Sequence, residues 1–261
     1  MCSRKVMALV VSSLAVCAVA GAQSLGIFSW QPVAKVQEAM EKERKPAIFY
    51  FEGSDLAKES LTWNFAQPQV QEVAAKFACA KLTLIDQKSP RPWGQFQKLA
   101  DKYGVGIQTA LIVVAYDGTV LASISQVVKR DEFVVLLGKM VAANRERIGK
   151  NDEAGRDLDQ VEKWLGEGKY QDALRRLKMV LDRASKLDPR IGERAKAVEE
   201  KVKAIAAEKL AAAKRLLDDG KNEEARKALK SIAEYFARLD EGKEAKELLK
   251  KVPIGKDKSQ D

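Results

Sequence analysis

Two patterns of apolar residues divide the chain. Over residues 32–145, short apolar runs typical of buried strands alternate with segments whose apolar residues recur at helical spacing. This alternation ends in a hairpin at Asp117-Gly118, and it predicts a mixed sheet covered by helices on both faces. The predicted strands are residues 47–51, 79–85, 110–116 and 119–124, and the predicted helices are residues 32–44, 55–65, 69–76, 94–103 and 130–144.

From residue 157 onward the apolar spacing is helical throughout. The pattern predicts an all-α domain over residues 157–252. Residues 146–156 are polar and contain two glycines, so they are predicted to be a linker. Residues 253–261 are polar and are predicted to form a disordered tail.

The helical part contains an internal repeat. The segment 164–177 combines an apolar pair, a Gly-Lys turn and a following alanine, and the same pattern returns at residues 216–229. The pattern resembles the helix–turn–helix of tetratricopeptide-like repeats, in elongated or degenerate form because the offset exceeds the usual length of about 34 residues. A plain helical bundle or antiparallel coiled coil is the alternative.

The first 22 residues have the features of a secretory signal peptide. Arg4 and Lys5 precede an apolar run over residues 7–20, and a small-residue cleavage site ends at Ala22. The mature protein is therefore expected outside the cytoplasm, in the periplasm or secreted. A lipoprotein leader with Cys17 as the lipidated residue is the alternative, and only in that case is a membrane partner expected.

Residues 45–59 place an apolar strand, a short polar turn and a helix start in succession. This order resembles the first strand and active-site turn of thioredoxin-like domains, and further motifs match that family over residues 32–145. These motifs are Lys45-Pro46, Asn64-Phe65-Ala66-Gln67-Pro68-Gln69-Val70, the strand at 77–86, Tyr103-Gly104-Val105, Ile107-Gln108-Thr109 and the Asp117-Gly118 hairpin. The resemblance implies an α/β thioredoxin-like domain followed by the all-α helical-hairpin domain.

The residues that carry redox chemistry in that family are replaced. Its two cysteine positions hold Leu56 and Glu59, and its cis-proline position holds Gln108. A cis bond before a residue other than proline costs about 3 kcal/mol, so the peptide before Gln108 is expected to be trans. Dithiol exchange needs a nucleophilic and a resolving thiol. The resemblance therefore implies a redox-inactive domain, and no catalytic residue is predicted.

The amino-acid composition further restricts the kinds of catalysis and binding that the chain is expected to perform. The chain has no histidine, which removes the commonest general base and metal ligand, and no metal or cofactor is predicted. The net charge is +9, but basic and acidic residues are interleaved, which favours a solvated helical surface over nucleic-acid binding. Glu52 and its neighbouring carboxylates are interpreted as helix-dipole or surface charges. Trp63, Phe65 and Trp93 are interpreted as core residues, because aromatic residues at helical spacing are more often core, and the lining of a peptide groove is the alternative.

Cys79 is the one cysteine outside the leader. A free cysteine within a strand is most often a small buried apolar residue, and that is the interpretation adopted for Cys79. The alternative is a thiol oxidoreductase that uses Cys79 alone.

These observations predict a binding protein. The expected function is that of an exported, redox-inactive, protein- or peptide-binding adaptor or chaperone-like module. The predicted binding residues are Asp55, Leu56, Lys58, Glu59 and Gln108. The alternatives are the Cys79 oxidoreductase and a structural envelope protein. The sequence leaves the partner and the oligomeric state open.

Overall fold

A computed structural model describes residues 29–53, 56–83, 90–106 and 108–253, with residues 90–96 described by their backbone alone. The predicted signal peptide, Cys17, Asp55 and the tail beyond Pro253 lie outside these ranges. Among the described residues, no helix combines the length and the apolar character needed to span a membrane.

The first part of the chain folds into a four-stranded mixed sheet. The strands are β1 (Ala47–Glu52), β2 (Ala78–Thr83), β3 (Ala110–Val114) and β4 (Val120–Ile124), and their order is β2-β1-β3-β4. β1 pairs in parallel with β2 and antiparallel with β3, and β3 pairs antiparallel with β4. The predicted mixed sheet is confirmed.

Helices cover both faces of this sheet because its central strands are apolar on both sides. The helices in this part are α1 (Val33–Glu43), α2 (Leu56–Phe65), α3 (Pro68–Ala74), α4 (Pro90–Tyr103) and α5 (Arg130–Gly166). Phe49 and Phe51 pack on one face with α1 and α4, while Ile48 and Tyr50 pack on the other with α2 and α5.

Helix α5 is continuous over 37 residues, or about 55 Å. The prediction that residues 146–156 form a linker is therefore wrong as to secondary structure, because these residues lie within α5. Asn144 and Asn151, which favour turns in a sequence, are buried here, and both side chains make hydrogen bonds with other elements. Gly149 has open space around it, a Cβ at Gly155 would meet the Ile191 side chain at 4.0 Å, and neither glycine breaks the helix.

Three side chains of α5 form what we call the α5 polar layer: Asn144, Arg147 and Asn151. Asn144 Oδ1 accepts the Tyr116 N–H at 2.9 Å, and Asn151 Nδ2 donates to the Tyr116 hydroxyl at 2.8 Å. Arg147 pairs with Asp117, whose side chain is 0% exposed, and donates to the Lys186 and Leu187 carbonyls at 2.9 and 3.0 Å. The layer joins α5 to the β3–β4 hairpin and to the turn at Lys186 and Leu187.

The rest of the chain is a large helical region that shares a core with the second half of α5. A 3₁₀ turn at Ala184–Lys186 separates two of its helices. The helices are α6 (Tyr170–Arg183), α7 (Pro189–Asp218), α8 (Asn222–Tyr235) and α9 (Asp240–Lys251).

The internal repeat corresponds to two turns of the same structure. Gly168 and Gly220 both have positive φ, of 76° and 73°, where glycine carries no Cβ penalty. The N–H of Lys169 donates to the Trp164 carbonyl at 2.9 Å, and the N–H of Lys221 donates in the same way to Leu216 at 2.8 Å. This is the Schellman pattern of hydrogen bonds. A tetratricopeptide-like array remains a prediction.

We predict that Arg147→Ala lowers the free energy of unfolding by about 3–5 kcal/mol, because it leaves the buried Asp117 carboxylate without its cation. Urea denaturation followed by circular dichroism measures the change. Arg145→Ala, an exposed residue on the same helix, is the matched control and should stay within about 0.5 kcal/mol of wild type. Equal loss in both variants would contradict this role for Arg147.

Candidate functional site

The candidate site lies at the carboxyl end of β1, where α2 begins. Phe51 is paired with Ala110 of β3, and the next contact is the Gly53 N–H donating to Thr109 Oγ1 at 3.0 Å. This bond places the end of β1 against the segment that leads into β3. Leu56 lies close to Gly53 in sequence, and Gln108 directly precedes Thr109. Leu56 and Gln108 therefore lie at the same end of the strands, and both are exposed.

Helix α2 exposes two large apolar side chains. Leu56 is 78% exposed and Trp63 is 57% exposed. They are seven residues apart, so they lie on the same face of the helix about 10 Å from each other. Lys58 and Glu59 are exposed in the first turn. We call the surface formed by Leu56, Glu59 and Trp63 the α2 face.

Trp63 is not among the binding residues predicted from the sequence. The prediction that it belongs to the core is wrong, whereas the same prediction for Phe65 is confirmed. The side chain of Trp93 is outside the described part of the chain. The buried face of α2 consists of Ala57, Leu61, Asn64 and Phe65, and it leaves Trp63 on the outer side.

Glu52, at the end of β1, is the centre of a polar cluster. The prediction that it is a surface charge is wrong. Its side chain is largely buried. Lys81 Nζ lies 2.9 Å and Lys58 Nζ 3.5 Å from Glu52 Oε1, and the Thr83 hydroxyl donates to Oε2 at 3.2 Å. Because β1 and β2 are parallel and in register, Glu52 and Thr83 lie side by side. The cluster ties β1, β2 and the first turn of α2 together.

Two opposing effects set the pKa of Glu52. Burial alone raises it, but the hydrogen bonds from Lys81 and Thr83 and the charges of Lys81 and Lys58 outweigh burial. The pKa of Glu52 therefore lies below its ordinary value. A carboxylate held ionised by two lysines is poorly suited to act as a general acid, so this cluster positions α2 and does not resemble an acid–base pair.

Cys79 lies on β2 within the core beneath α2 and α3, as predicted for a small buried residue. Burial raises the pKa of its thiol to about 12, and the thiol lies 3.9 Å from the Ala74 carbonyl. The thiolate is the reactive form of cysteine, and burial in apolar surroundings disfavours it. Among the described residues, no group of three or more acidic or cysteine side chains is placed to hold a metal ion.

The chain matches no known family model and no curated protein. Among solved structures it is similar to one described as "DsbH Oxidoreductase", with a TM-score of 0.40 and 15% sequence identity. The similarity covers 45% of this chain and 88% of the other. A TM-score this low does not assign a fold family.

We predict that Glu52→Gln destabilises the protein by about 1 kcal/mol at pH 7, because the ionised carboxylate is the partner of both lysines. A lowered pKa stabilises the fold above the ordinary value of about 4.3, and this contribution is lost as the pH falls through that range. The difference between variant and wild type in urea denaturation should therefore disappear at acidic pH. Glu59→Gln, on the exposed side of the same turn, should show little difference at either pH. A Glu52→Gln effect independent of pH would contradict the role of the charge.

Proposed function

We propose that this chain is an exported protein that binds other proteins or peptides through the α2 face, on a thioredoxin-like domain without redox chemistry. The observation that carries the proposal is the exposure of Leu56 and Trp63 on one face of α2. Exposed tryptophan side chains that lie beside other apolar residues are typical of binding surfaces.

The position of the α2 face supports the proposal. A parallel β–α–β unit followed by an antiparallel hairpin and a closing helix is consistent with a thioredoxin-like domain. On that interpretation, Leu56 and Glu59 occupy the two cysteine positions and Gln108 the proline position, next to the place where such domains hold extended polypeptide. The Glu52 cluster holds the first turn of α2 through Lys58, and Glu59 places one charge beside the apolar pair. An apolar centre with charge beside it is the composition expected of a protein interface.

The helical region offers a second surface for the same partner. A cavity of about 400 Å³ lies between α6, α7 and α8. Tyr170 and Phe236 form an aromatic pair in its wall with ring centroids 5.1 Å apart, and Lys209 Nζ lies 5.1 Å above the Tyr170 ring. A cavity of this volume is within the range of ligand pockets and has room for more than one side chain of a partner, which fits an adaptor that contacts its partner at two places.

We predict that the double variant Leu56→Ser/Trp63→Ser loses partner binding by about tenfold or more, because central apolar side chains carry most of the affinity at protein interfaces. Wild type and variant are immobilised separately, exposed to the extracytoplasmic fraction of the source cells, and compared by quantitative mass spectrometry of the bound proteins.

Met179→Ser is the matched control, since Met179 is a similarly exposed apolar residue on α6. It should retain the proteins that wild type binds. The proposal fails if no protein is enriched over blank resin, or if the double variant and the control bind the same proteins equally.

The alternative of an oxidoreductase that uses Cys79 has little support from its surroundings, since the thiol is buried and its pKa is raised. We predict that insulin reduction in the presence of glutathione proceeds at the background rate with wild type and with Cys79→Ser alike. A rate above background that Cys79→Ser removes would establish the enzyme alternative in place of the redox-inactive one.

A further inference from the structure

The edge of the sheet at β4 lacks charged residues and prolines, which are two of the usual protections against association. β4 is the last strand in the order of the described sheet, and residues 118–128 contain neither a charged residue nor a proline. Proteins commonly place charges or prolines on edge strands to prevent pairing with other chains. Val127, in the segment after β4, is 66% exposed. This edge is therefore suited to contact with another protein surface.

Strand-to-strand pairing is not the geometry that this edge favours. Val113 pairs with Ala122 and Val114 with Val120, so Leu121 is an extra residue that forms a bulge in β4. A bulge in an edge strand increases its twist and interrupts the row of backbone groups. The contact is therefore expected to involve the side chains beside the edge.

Helix α5 supplies those side chains. A cleft of about 690 Å³ lies between the segment 122–128 and the first turns of α5. Four α5 residues line it: Glu132, Val135, Leu136 and Lys139. Val135 is 57% exposed, and neither Glu132 nor Lys139 forms an ion pair with any of the described residues. Leu136 is partly buried against the core, so the helix presents the exposed Val135 and the outer part of Leu136 between one acidic and one basic residue.

The order of these four residues along α5 allows the helix to pair with an antiparallel copy of itself. The midpoint between Val135 and Leu136 is also the midpoint between Glu132 and Lys139. A second copy of the helix packed antiparallel about this point therefore places its Lys139 opposite Glu132 and its Leu136 opposite Val135. A twofold interface is isologous, so each ion pair and each apolar contact occurs twice.

We propose that two copies of this chain form a twofold dimer through this surface, which we call the α5 face and define as Glu132, Val135, Leu136 and Lys139 with the adjoining Val127. Charge complementarity singles out a second copy as the occupant. The chain carries a net charge of +9, so its copies repel each other at long range. The α5 face is uncharged at its centre and places opposite charges together at its rim, so it removes that repulsion locally.

A charge exchange tests the proposal. Sedimentation equilibrium of the purified chain gives the dimer dissociation constant for wild type, Glu132→Lys, Lys139→Glu and the double variant. Each single variant turns both rim pairs into like charges, and dimerisation should weaken about tenfold. The double variant restores opposite charges at both pairs and should return to the wild-type constant. A merely structural effect of either residue would not be reversed in this way.

Two further variants examine the centre of the surface. Val135→Asp should abolish the dimer, whereas Met179→Asp, at an exposed apolar residue of α6, should leave it unchanged. Thermal unfolding of each variant verifies that it is folded. The proposal is overturned if wild type is monomeric at every concentration, or if a dimer forms that neither the charge variants nor Val135→Asp weakens.

Discussion

The architecture depends on one buried ion pair, between Arg147 of α5 and Asp117 of the β3–β4 hairpin. The Asp117 side chain has no exposed surface, so its carboxylate needs a cation in place. The same guanidinium donates to the Lys186 and Leu187 carbonyls, which would otherwise be backbone acceptors without a helical partner. One side chain therefore joins the sheet, the long helix and the turn between α6 and α7, and removing it affects all three.

Strain near this contact shows how firmly the junction is held. Arg44 has φ of 54°, the left-handed region that residues other than glycine rarely adopt. Asn144 donates to the Arg44 carbonyl at 3.1 Å, and the Arg44 guanidinium lies 4.8 Å from the Tyr116 ring centroid and pairs with Asp152 at 2.8 Å. The contacts on both sides of Arg44 come from α5 and the hairpin. The sheet and the helical region are consequently fixed to each other through α5, and a partner meets surfaces whose relative orientation is set.

The sequence predicts those parts of the fold that depend on local periodicity. Alternating apolar strands, the Asp117-Gly118 hairpin and the two glycine turns at Gly168 and Gly220 are all found where they were expected. Residues 146–156 were mispredicted because polarity in a sequence does not distinguish a residue bonded to solvent from one bonded to a distant strand. Asn151 fills its hydrogen bonds with Tyr116 and with the N–H of Asp188, and neither partner is identifiable from sequence spacing. Long-range polar pairing is the information that periodicity lacks.

The absence of long-range pairing from sequence periodicity also explains which residues of the candidate site were predicted. Leu56 was identifiable because the motif resemblance fixes its place, but the exposure of Trp63 depends on Asn64. Asn64 is fully buried, and its amide donates to the Val128 carbonyl at 2.8 Å, which joins α2 to the segment after β4. Asn64 and Phe65 both face inward, and Trp63 lies about 100° from Asn64 on the side away from Phe65, which leaves Trp63 exposed. Val128 belongs to the segment that borders the α5 face, so one hydrogen bond orients the α2 face and holds the edge of the other surface. The two surfaces proposed for binding are thereby linked through a contact that serves the fold first.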